Sequence, residues 1–457
     1  MTCTWWKRMK SEFGASFLWI VCFIYFTQGF RSFVWNAVSY QLKDVLKLSP
    51  SASQFVMSTV FFPWSIKPLY GILSDCVPIK GRKRVPYLVM STTLSLVPWI
   101  IIGSVESIRI SQMYLTILLM IQNIGAAMSD VVIDAMMAEA IRSERASFAG
   151  DLQSLSWFSM AFGGICGSLS GGYTLSHFKL ETIFLLFSIF PGIQLVSCAF
   201  VEERKKYSFD DKTDSAKKDK KASDNIVRIW LSFFQKTLKS VNIAFYRIFH
   251  AFKQPAIIRP IAWFFLSYIA VPDLSTIMFY YQTEVLHLDP SFLGKTQVIG
   301  WFGLMIGTFT YNRYLKHVRL WKILLWTQIS LAILNCLHIV LVSRINIQLG
   351  ISDRYMVLSG SALASAIRQF SMMPFLIISG QLCPPGIEGT LFALFMSIHN
   401  FGGTVSNLLG AGLASFLNIS SKAFDNLLYG VVLQSISHLI PILFLVLIPK
   451  EATGLSS

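Results

Sequence analysis

The chain has 457 residues, of which 54% are apolar and only 14% are charged. These values exclude an ordinary soluble domain, in which about 25% of the residues are charged. The net charge of +15 does not indicate nucleic acid, because no DNA- or RNA-binding motif is present and basic residues are typical of loops beside membrane spans. Seven cysteines without a C-x-x-C pair indicate neither a disulfide framework nor a zinc site, and we expect no cofactor.

Twelve stretches are apolar over about the 20 residues that a helix needs to cross the hydrocarbon core. They predict an all-α polytopic membrane protein. Lys and Arg are scarce in the loops that lie outside when both termini are cytoplasmic, so we predict that orientation. The predicted spans are 16–40, 53–74, 85–103, 112–138, 152–172, 182–200, 256–281, 293–311, 321–343, 355–380, 390–414 and 426–448.

A hydrophilic segment divides the spans into two sets of six. This gives an N-terminal half of residues 1–200, a linker of 201–254 and a C-terminal half of 255–457. The linker begins with mixed charges that are too polar to form a core. Its second part combines aromatic and basic residues, which predicts an amphipathic helix that binds anionic lipid at the membrane surface. The alternative is a helix that only covers the protein's own cytoplasmic face.

Spans 5 and 11 share an internal repeat at a constant spacing of 239 positions, as from Gly150 to Gly389. Repeated halves that rock against each other are typical of secondary transporters. Glycine also lets helices pack closely, and we expect both roles here. The matched residues are Gly150, Phe162, Gly163, Gly164 and Gly171 with Gly389, Phe401, Gly402, Gly403 and Gly410.

Six charged side chains lie at least four positions from either end of a predicted span, where each costs at least about 2.5–3.5 kcal/mol if it has no partner. They are Arg31, Lys67, Asp130, Asp134, Asp273 and Arg368. A helical rise of about 1.5 Å per residue places Lys67 and Asp134 nearer the cytoplasm than the other four. We predict that Lys67 and Asp134 form an ion pair between spans 2 and 4, with either a structural or a coupling role.

The charges near the midplane predict a substrate cavity. Arginine suits carboxylates and phosphates because its guanidinium can form two parallel hydrogen bonds. We therefore expect Arg31 and Arg368 to hold an anionic substrate, and Asp273 to line the same cavity as a substrate-binding residue. Trp35 could stack on a flat ring, with packing or interfacial anchoring as its alternative role. Asp130 or Asp273 is the candidate for taking up and releasing a proton.

The segment between spans 2 and 3 resembles the signature loop of the major facilitator superfamily. The resemblance implies that fold, with two six-helix halves and a loop that latches the cytoplasmic gate. After span 8 the basic residues recur, but Tyr311 replaces the acidic residue, so we expect a latch in one half only. The residues that carry the resemblance are Gly71, Asp75, Gly81, Arg82, Lys83 and Arg84.

Further segments in both halves resemble the folate-biopterin transporter family, a branch of the same superfamily. The resemblance implies transport of folates or pterins. It also implies functional roles for Lys67, Asp75, Asp130 and Asp134. The matching segments are residues 67–88, 130–135, 152–155, 382–390 and 397–400.

The sequence thus predicts a secondary active transporter that carries folates and/or pterins by alternating access, coupled to protons. Alternatives are a carrier of another organic anion or heterocycle, and a non-transporting receptor or scaffold. We expect no enzyme, because there is no G-x-x-x-x-G-K-[ST] motif and His338, His399 and His438 form no metal-binding pair. No long extension precedes span 1, so we expect the plasma membrane or an endomembrane rather than the plastid envelope.

Overall fold

The computed structural model describes residues 2–79, 81–141, 149–201, 246, 253–381 and 388–449. Within these ranges the chain is helical, and the one pairing of extended backbone is an isolated bridge between Ile79 and Arg82. Nearly all of the predicted lipid-binding linker, 201–254, lies outside the described residues, as does 382–387. The helices of nine or more residues are α1 (Thr2–Phe13), α2 (Ala15–Phe30), α3 (Ser32–Tyr40), α4 (Pro50–Phe61), α5 (Lys67–Cys76), α6 (Val85–Ser104), α7 (Gln112–Ile141), α8 (Ala149–His177), α9 (Leu180–Cys198), α10 (Pro255–Ile269), α11 (Ser275–Glu284), α12 (Pro290–Thr310), α13 (Leu320–Val342), α14 (Asp353–Gln381), α15 (Glu388–Phe416) and α16 (Leu427–Ser437).

Six helical segments of the described chain are long and apolar enough to cross a membrane, so the protein is an all-helical, multi-pass membrane protein. The other predicted spans coincide with helices that are rich in Gly, Ser and Thr or that are broken. The count of twelve spans and the cytoplasmic termini therefore stay predictions. The six segments are Ala15–Val45, Val85–Ser104, Gln112–Ala140, Leu180–Cys198, Leu320–Val342 and Leu427–Leu447.

The second predicted span is not one continuous helix. α4 ends at Phe61, a 3₁₀ turn covers Phe62–Ile66, and α5 begins at Lys67. Pro63 and Pro68 lie at the start of these two elements, where their missing N–H groups interrupt the α-helical ladder. The turn aims Trp64 and Lys67 at the interior of the N-terminal half.

The seventh predicted span is also broken. α10 ends at Ile269 and α11 begins at Ser275, with Pro272 in the irregular segment between them. The break frees backbone groups from the helical ladder, and one of them is bonded across the bundle. The N–H of Asp273 donates to the carbonyl of Ser406 in α15 at 3.1 Å. The prediction of an unbroken helix here is wrong, since a proline in the apolar run stops the helix without changing its hydropathy.

The internal repeat reappears in the packing. α8 and α15 each have 29 residues and begin 239 positions apart (388 minus 149). The rings of Phe26 and Phe162 lie 6.0 Å apart, and the rings of Phe265 and Phe401, at the same offset, lie 5.9 Å apart. α8 thus packs on α2 as α15 packs on α10.

In the described residues, the two halves meet at the end of the bundle where segments 41–49 and 285–289 lie, which we call the closed end. Asn36 and Gln297 exchange amide hydrogen bonds of 3.1 and 2.7 Å across the halves. Lys43 Nζ lies 2.5 Å from Glu284 Oε1. In the predicted orientation the closed end faces outside.

Candidate substrate-binding and coupling site

A polar cluster lies inside the N-terminal half where α2, α5 and α7 meet. α2 and Arg31, the residue that follows it, contribute polar residues three positions apart, so each is next to the following one on the helix surface. α7 contributes residues seven and four positions apart, which share one helix face. The 3₁₀ turn and α5 contribute the remainder. The members are Tyr25, Gln28, Arg31, Trp64, Lys67, Asn123, Asp130 and Asp134.

Lys67 forms its ion pair with Asp130, at 2.5 Å between Nζ and Oδ2, and the two side chains are only 9% and 10% exposed. Gln28 Nε2 donates to the other carboxylate oxygen at 2.6 Å. The predicted pair of Lys67 with Asp134 is therefore wrong. The depth estimated from backbone positions gave the wrong partner, because a lysine side chain is long and points back toward the N-terminus of its helix. The Lys67 ammonium group therefore lies about one turn farther from the predicted cytoplasmic end than its own backbone.

Asp134 is bonded instead to a phenol: the hydroxyl of Tyr25 donates to Oδ1 at 2.5 Å. Tyr25 is buried and Asp134 is half-buried. Neither Tyr25 nor Gln28 was predicted from the sequence. The signal for them was the spacing of three residues, which places Gln28 next to Arg31 and Tyr25 next to Gln28 on the surface of span 1.

Arg31 is buried against aromatic rings. Its Nη2 donates to Asn123 Oδ1 at 2.6 Å, and the indole N–H of Trp64 donates to the same oxygen at 2.8 Å. The guanidinium carbon lies 5.4, 6.0 and 5.0 Å from the ring centres of Trp35, Phe61 and Trp64. Its Nε has no partner among the described residues. The rings stabilise the cation without neutralising it, which leaves a positive group available to an anion.

Asp273 does not join this cluster. Its Oδ1 accepts the backbone N–H of Ser275 at 2.9 Å and its Oδ2 accepts the Ser275 hydroxyl at 3.0 Å, so the carboxylate binds the first residue of α11. Its carbonyl accepts a bond of 2.5 Å from Gln54 of the N-terminal half. Asp273 thus helps to shape the break and to join the halves. This role was not predicted, because the sequence was interpreted as a continuous helix at this position.

Arg368 lies in α14 on an exposed face. Within the described ranges it has no hydrogen bond or ion pair with another residue. Tyr268, His338 and His438 lie close enough for its charge to act on them. A cation at this place in the C-terminal half suits an anionic group supplied by a ligand.

Helix α15 brings the C-terminal half against the cluster. Asn400 Nδ2 donates to the carbonyl of Trp64 at 3.1 Å. The ring of His399 stacks on Phe375 at 5.4 Å and meets the edge of Tyr268 at 4.7 Å. A flat aromatic surface of the C-terminal half therefore lies beside the cationic N-terminal cluster.

The signature loop is bonded within the N-terminal half. Arg84 Nη2 lies 2.5 Å from Asp75 and 2.7 Å from Glu139 of α7, and Arg84 Nη1 donates to Ser74 at 2.8 Å. Burial disfavours this charge, but the hydrogen bond to Glu139 and the charge of Asp75 raise the pKa of Arg84 above its usual value. Gly81 makes the turn possible with a φ of +75°.

The remaining loop positions fit the same picture. A Cβ at Gly71 would lie 3.6 Å from Val131 of α7, an ordinary van der Waals contact, so the packing of α5 on α7 does not itself require glycine here. Arg82 is exposed, and its backbone pairs with that of Ile79. Tyr311 is fully buried at the start of a π-helical turn, Tyr311–Leu315. A latch in one half only stays a prediction.

Among the described residues, no group of His, Cys, Asp or Glu could hold a metal ion.

A sequence profile of the BT1 family matches residues 28–455. The chain belongs to the BT1 family. It is 56% identical to the probable folate-biopterin transporter 4 of Arabidopsis thaliana, with 99% of both chains covered. It is 31% identical to the folate-biopterin transporter of Synechocystis sp. (strain ATCC 27184 / PCC 6803 / Kazusa), with 93% of this chain and 80% of that protein covered.

The fold of this BT1-family protein is that of known membrane transporters. A crystal structure of a D-xylose-proton symporter superposes with a TM-score of 0.65 at 13% identity, over 95% of this chain and 98% of that chain. The family predicted from the residues is confirmed, and the protein is a transporter rather than an enzyme. The relatives do not all share one membrane. The probable folate-biopterin transporter 8 of A. thaliana is named chloroplastic, and it is 33% identical over 96% of this chain and 77% of that protein.

Proposed function

We propose that this BT1-family protein is a secondary active transporter that carries folates and/or pterins by alternating access, coupled to protons, in the plasma membrane or an endomembrane. The observation that carries the proposal is the set of charges Arg31, Lys67, Asp130 and Asp134 inside the N-terminal half, together with the unpaired Arg368 of the other half. Charged side chains at membrane depth mark substrate or ion pathways because they are otherwise costly. The names of the relatives add the chemical class of the solute.

The substrate class agrees with the chemistry of the two halves. A pterin is a flat heterocycle, which aromatic faces such as those around Trp64 and His399 can stack. The glutamate carboxylates of folates need cations, and within the described residues neither Arg31 nor Arg368 forms an ion pair with a carboxylate. A ligand that spans both sets of groups would draw the halves together.

Alternating access needs one end of the bundle closed while the other admits the solute. The contacts of Lys43, Asn36 and Tyr280 with the opposite half make up the closed end; for example, the Tyr280 hydroxyl lies 2.6 Å from that of Ser53. The signature loop, at the other end, has Arg84 bonded to Asp75 and Glu139 of the same half. With the predicted orientation, this conformation faces the cytoplasm.

A competition assay tests the substrate class. A folate-auxotrophic host that expresses the protein should take up labelled folic acid, with unlabelled folates and pterins competing and nucleosides and sugar phosphates not competing. Uptake no higher than in the empty host, or stronger competition by nucleosides than by folates, would contradict the proposal.

The role of Arg368 has a matched control. Arg368→Gln should raise the KM for folic acid about tenfold or more, because a hydrogen bond to a charged group contributes about 1.5–3 kcal/mol. Arg259→Gln changes an exposed arginine near the start of α10 in the same half and should leave the KM as it is. Equal effects of the two substitutions would remove Arg368 from the site.

A further inference from the structure

Three aspartates lie where the spans were predicted, and the structure separates their roles. Asp130 is neutralised by Lys67 and also bonded by Gln28. Asp273 binds the first residue of α11. Asp134 has neither a counter-ion nor a bond to a helix start: no Lys, Arg or His nitrogen of the described chain lies within 4.0 Å of its carboxylate. A carboxylate held without a cation is the one whose charge is easiest to remove by a proton.

Other charged and titratable groups face Asp134 from several sides. Tyr25 of α2 donates to it, while Lys67 of α5 and Asp130, one turn away on α7, act on it through their charges. The neighbouring α6 carries one titratable residue, Tyr87, whose hydroxyl is bonded to the carbonyl of Val77. α4 carries none, and α15 brings His399 within range of the Lys67 charge. Asp134 thus sits between one cation that is already paired and one competing anion.

Protonation of Asp134 changes the net charge of the cluster. With Arg31 and Lys67 positive and Asp130 and Asp134 negative, the four charges sum to zero. A proton on Asp134 makes the sum +1. An anionic solute is attracted to the second state and not to the first, especially in a cavity of low dielectric constant.

We propose that Asp134, positioned by Tyr25, is the proton-binding site that couples anion uptake to proton movement. This inference rests on the proposed function and assigns the coupling group within it. In the ionised state the Tyr25 hydroxyl donates to the carboxylate. Asp134 then takes a proton from water on one side, the cluster binds the anion, and the proton leaves to water on the other side after the halves reorient. Tyr25 keeps its own proton throughout.

The test uses the purified full chain in proteoliposomes with labelled folic acid as the probe. Two rates are measured: exchange of labelled for unlabelled folate without a gradient, and net accumulation driven by an imposed pH gradient. Wild-type protein should show both. Asp134→Asn fixes the neutral state, so exchange should remain detectable and lose its pH dependence while accumulation is lost. Asp130→Asn strands Lys67 and should impair both.

A second variant keeps the inference testable if Asp134→Asn does not fold. Tyr25→Phe removes the donor that stabilises the ionised carboxylate, so the neutral acid persists to higher pH. The pH at which uptake falls to half should therefore rise. Tyr70→Phe is the control, since the Tyr70 hydroxyl is bonded to the carbonyl of Pro63 and not to a carboxylate.

Each outcome decides one claim. If Asp134→Asn accumulates folate under a pH gradient like wild type, Asp134 is not the coupling group. An unmoved pH profile in Tyr25→Phe overturns the positioning role. Folate exchange by the wild-type protein is measured first, before any variant. Its absence contradicts the proposed function itself.

Discussion

Removing Lys67 alone should be far more harmful than removing its whole ion pair. Lys67→Met leaves the Asp130 carboxylate, 10% exposed, without its cation, and breaking a buried pair in this way costs about 3–5 kcal/mol. That corresponds to more than about a hundredfold in the folding equilibrium. In the double variant Lys67→Met/Asp130→Asn no charge is stranded, and the amide oxygen at position 130 can still accept from Gln28. Most of the loss should then be recovered.

The free energy of unfolding can be followed by tryptophan fluorescence while dodecyl sulfate is titrated into mixed micelles. Lys295→Met, at an exposed position of α12, controls for the loss of one lysine. The deficit of Lys67→Met should also shrink as the pH falls, because a stranded carboxylate relieves its cost by taking a proton. The account of the pair is refuted if the single and double variants are equally unstable, or if Lys67→Met is no worse than the control.

Three further outcomes follow from the packing. Glu284→Gln removes a cross-half ion pair from the closed end. Because the pair is partly exposed, the equilibrium for opening this end should become only about two- to fivefold more favourable. The measurement is cross-linking between cysteines introduced in α3 and α12, which should decrease. Gly163→Val would overlap a backbone carbonyl of α2, so it should lower the free energy of unfolding by about 1–3 kcal/mol or more. Gly192→Ala is the control, because its Cβ would meet nothing within 4 Å and should not destabilise the protein. Equal denaturation curves of the two variants would contradict the close packing. Arg84→Gln should cost about 1.5–3 kcal/mol and Arg82→Gln close to none, and the reverse order would show that the loop is held differently.

Much of this architecture is local and therefore readable in the sequence. Apolar runs predict membrane helices because the bilayer demands about 20 apolar residues whatever the neighbours are. The constant offset between Gly163 and Gly402 predicts the packing of α8 and α15, since glycine marks close approach. The cluster around Arg31 and Asp130 was also foreseeable, because charges in a membrane must meet partners.

The choice of partner was not readable, because it depends on where helices break and on how far side chains reach. Lys67 selects Asp130 over Asp134 through the length and direction of its side chain. Asp273 was placed by counting along a helix that stops at Ile269. The cross-half contacts of the closed end, such as Asn36 with Gln297, join residues 261 positions apart and carry no local pattern.

The central claim is that this BT1-family chain itself moves folates or pterins, and the most direct measurement is counterflow in liposomes that contain only the purified protein. Liposomes preloaded with unlabelled folic acid should take up labelled folic acid saturably, and Arg368→Gln should weaken this uptake far more than Arg259→Gln. Uptake no greater than that of protein-free liposomes, for folic acid and for pterins alike, would contradict the account.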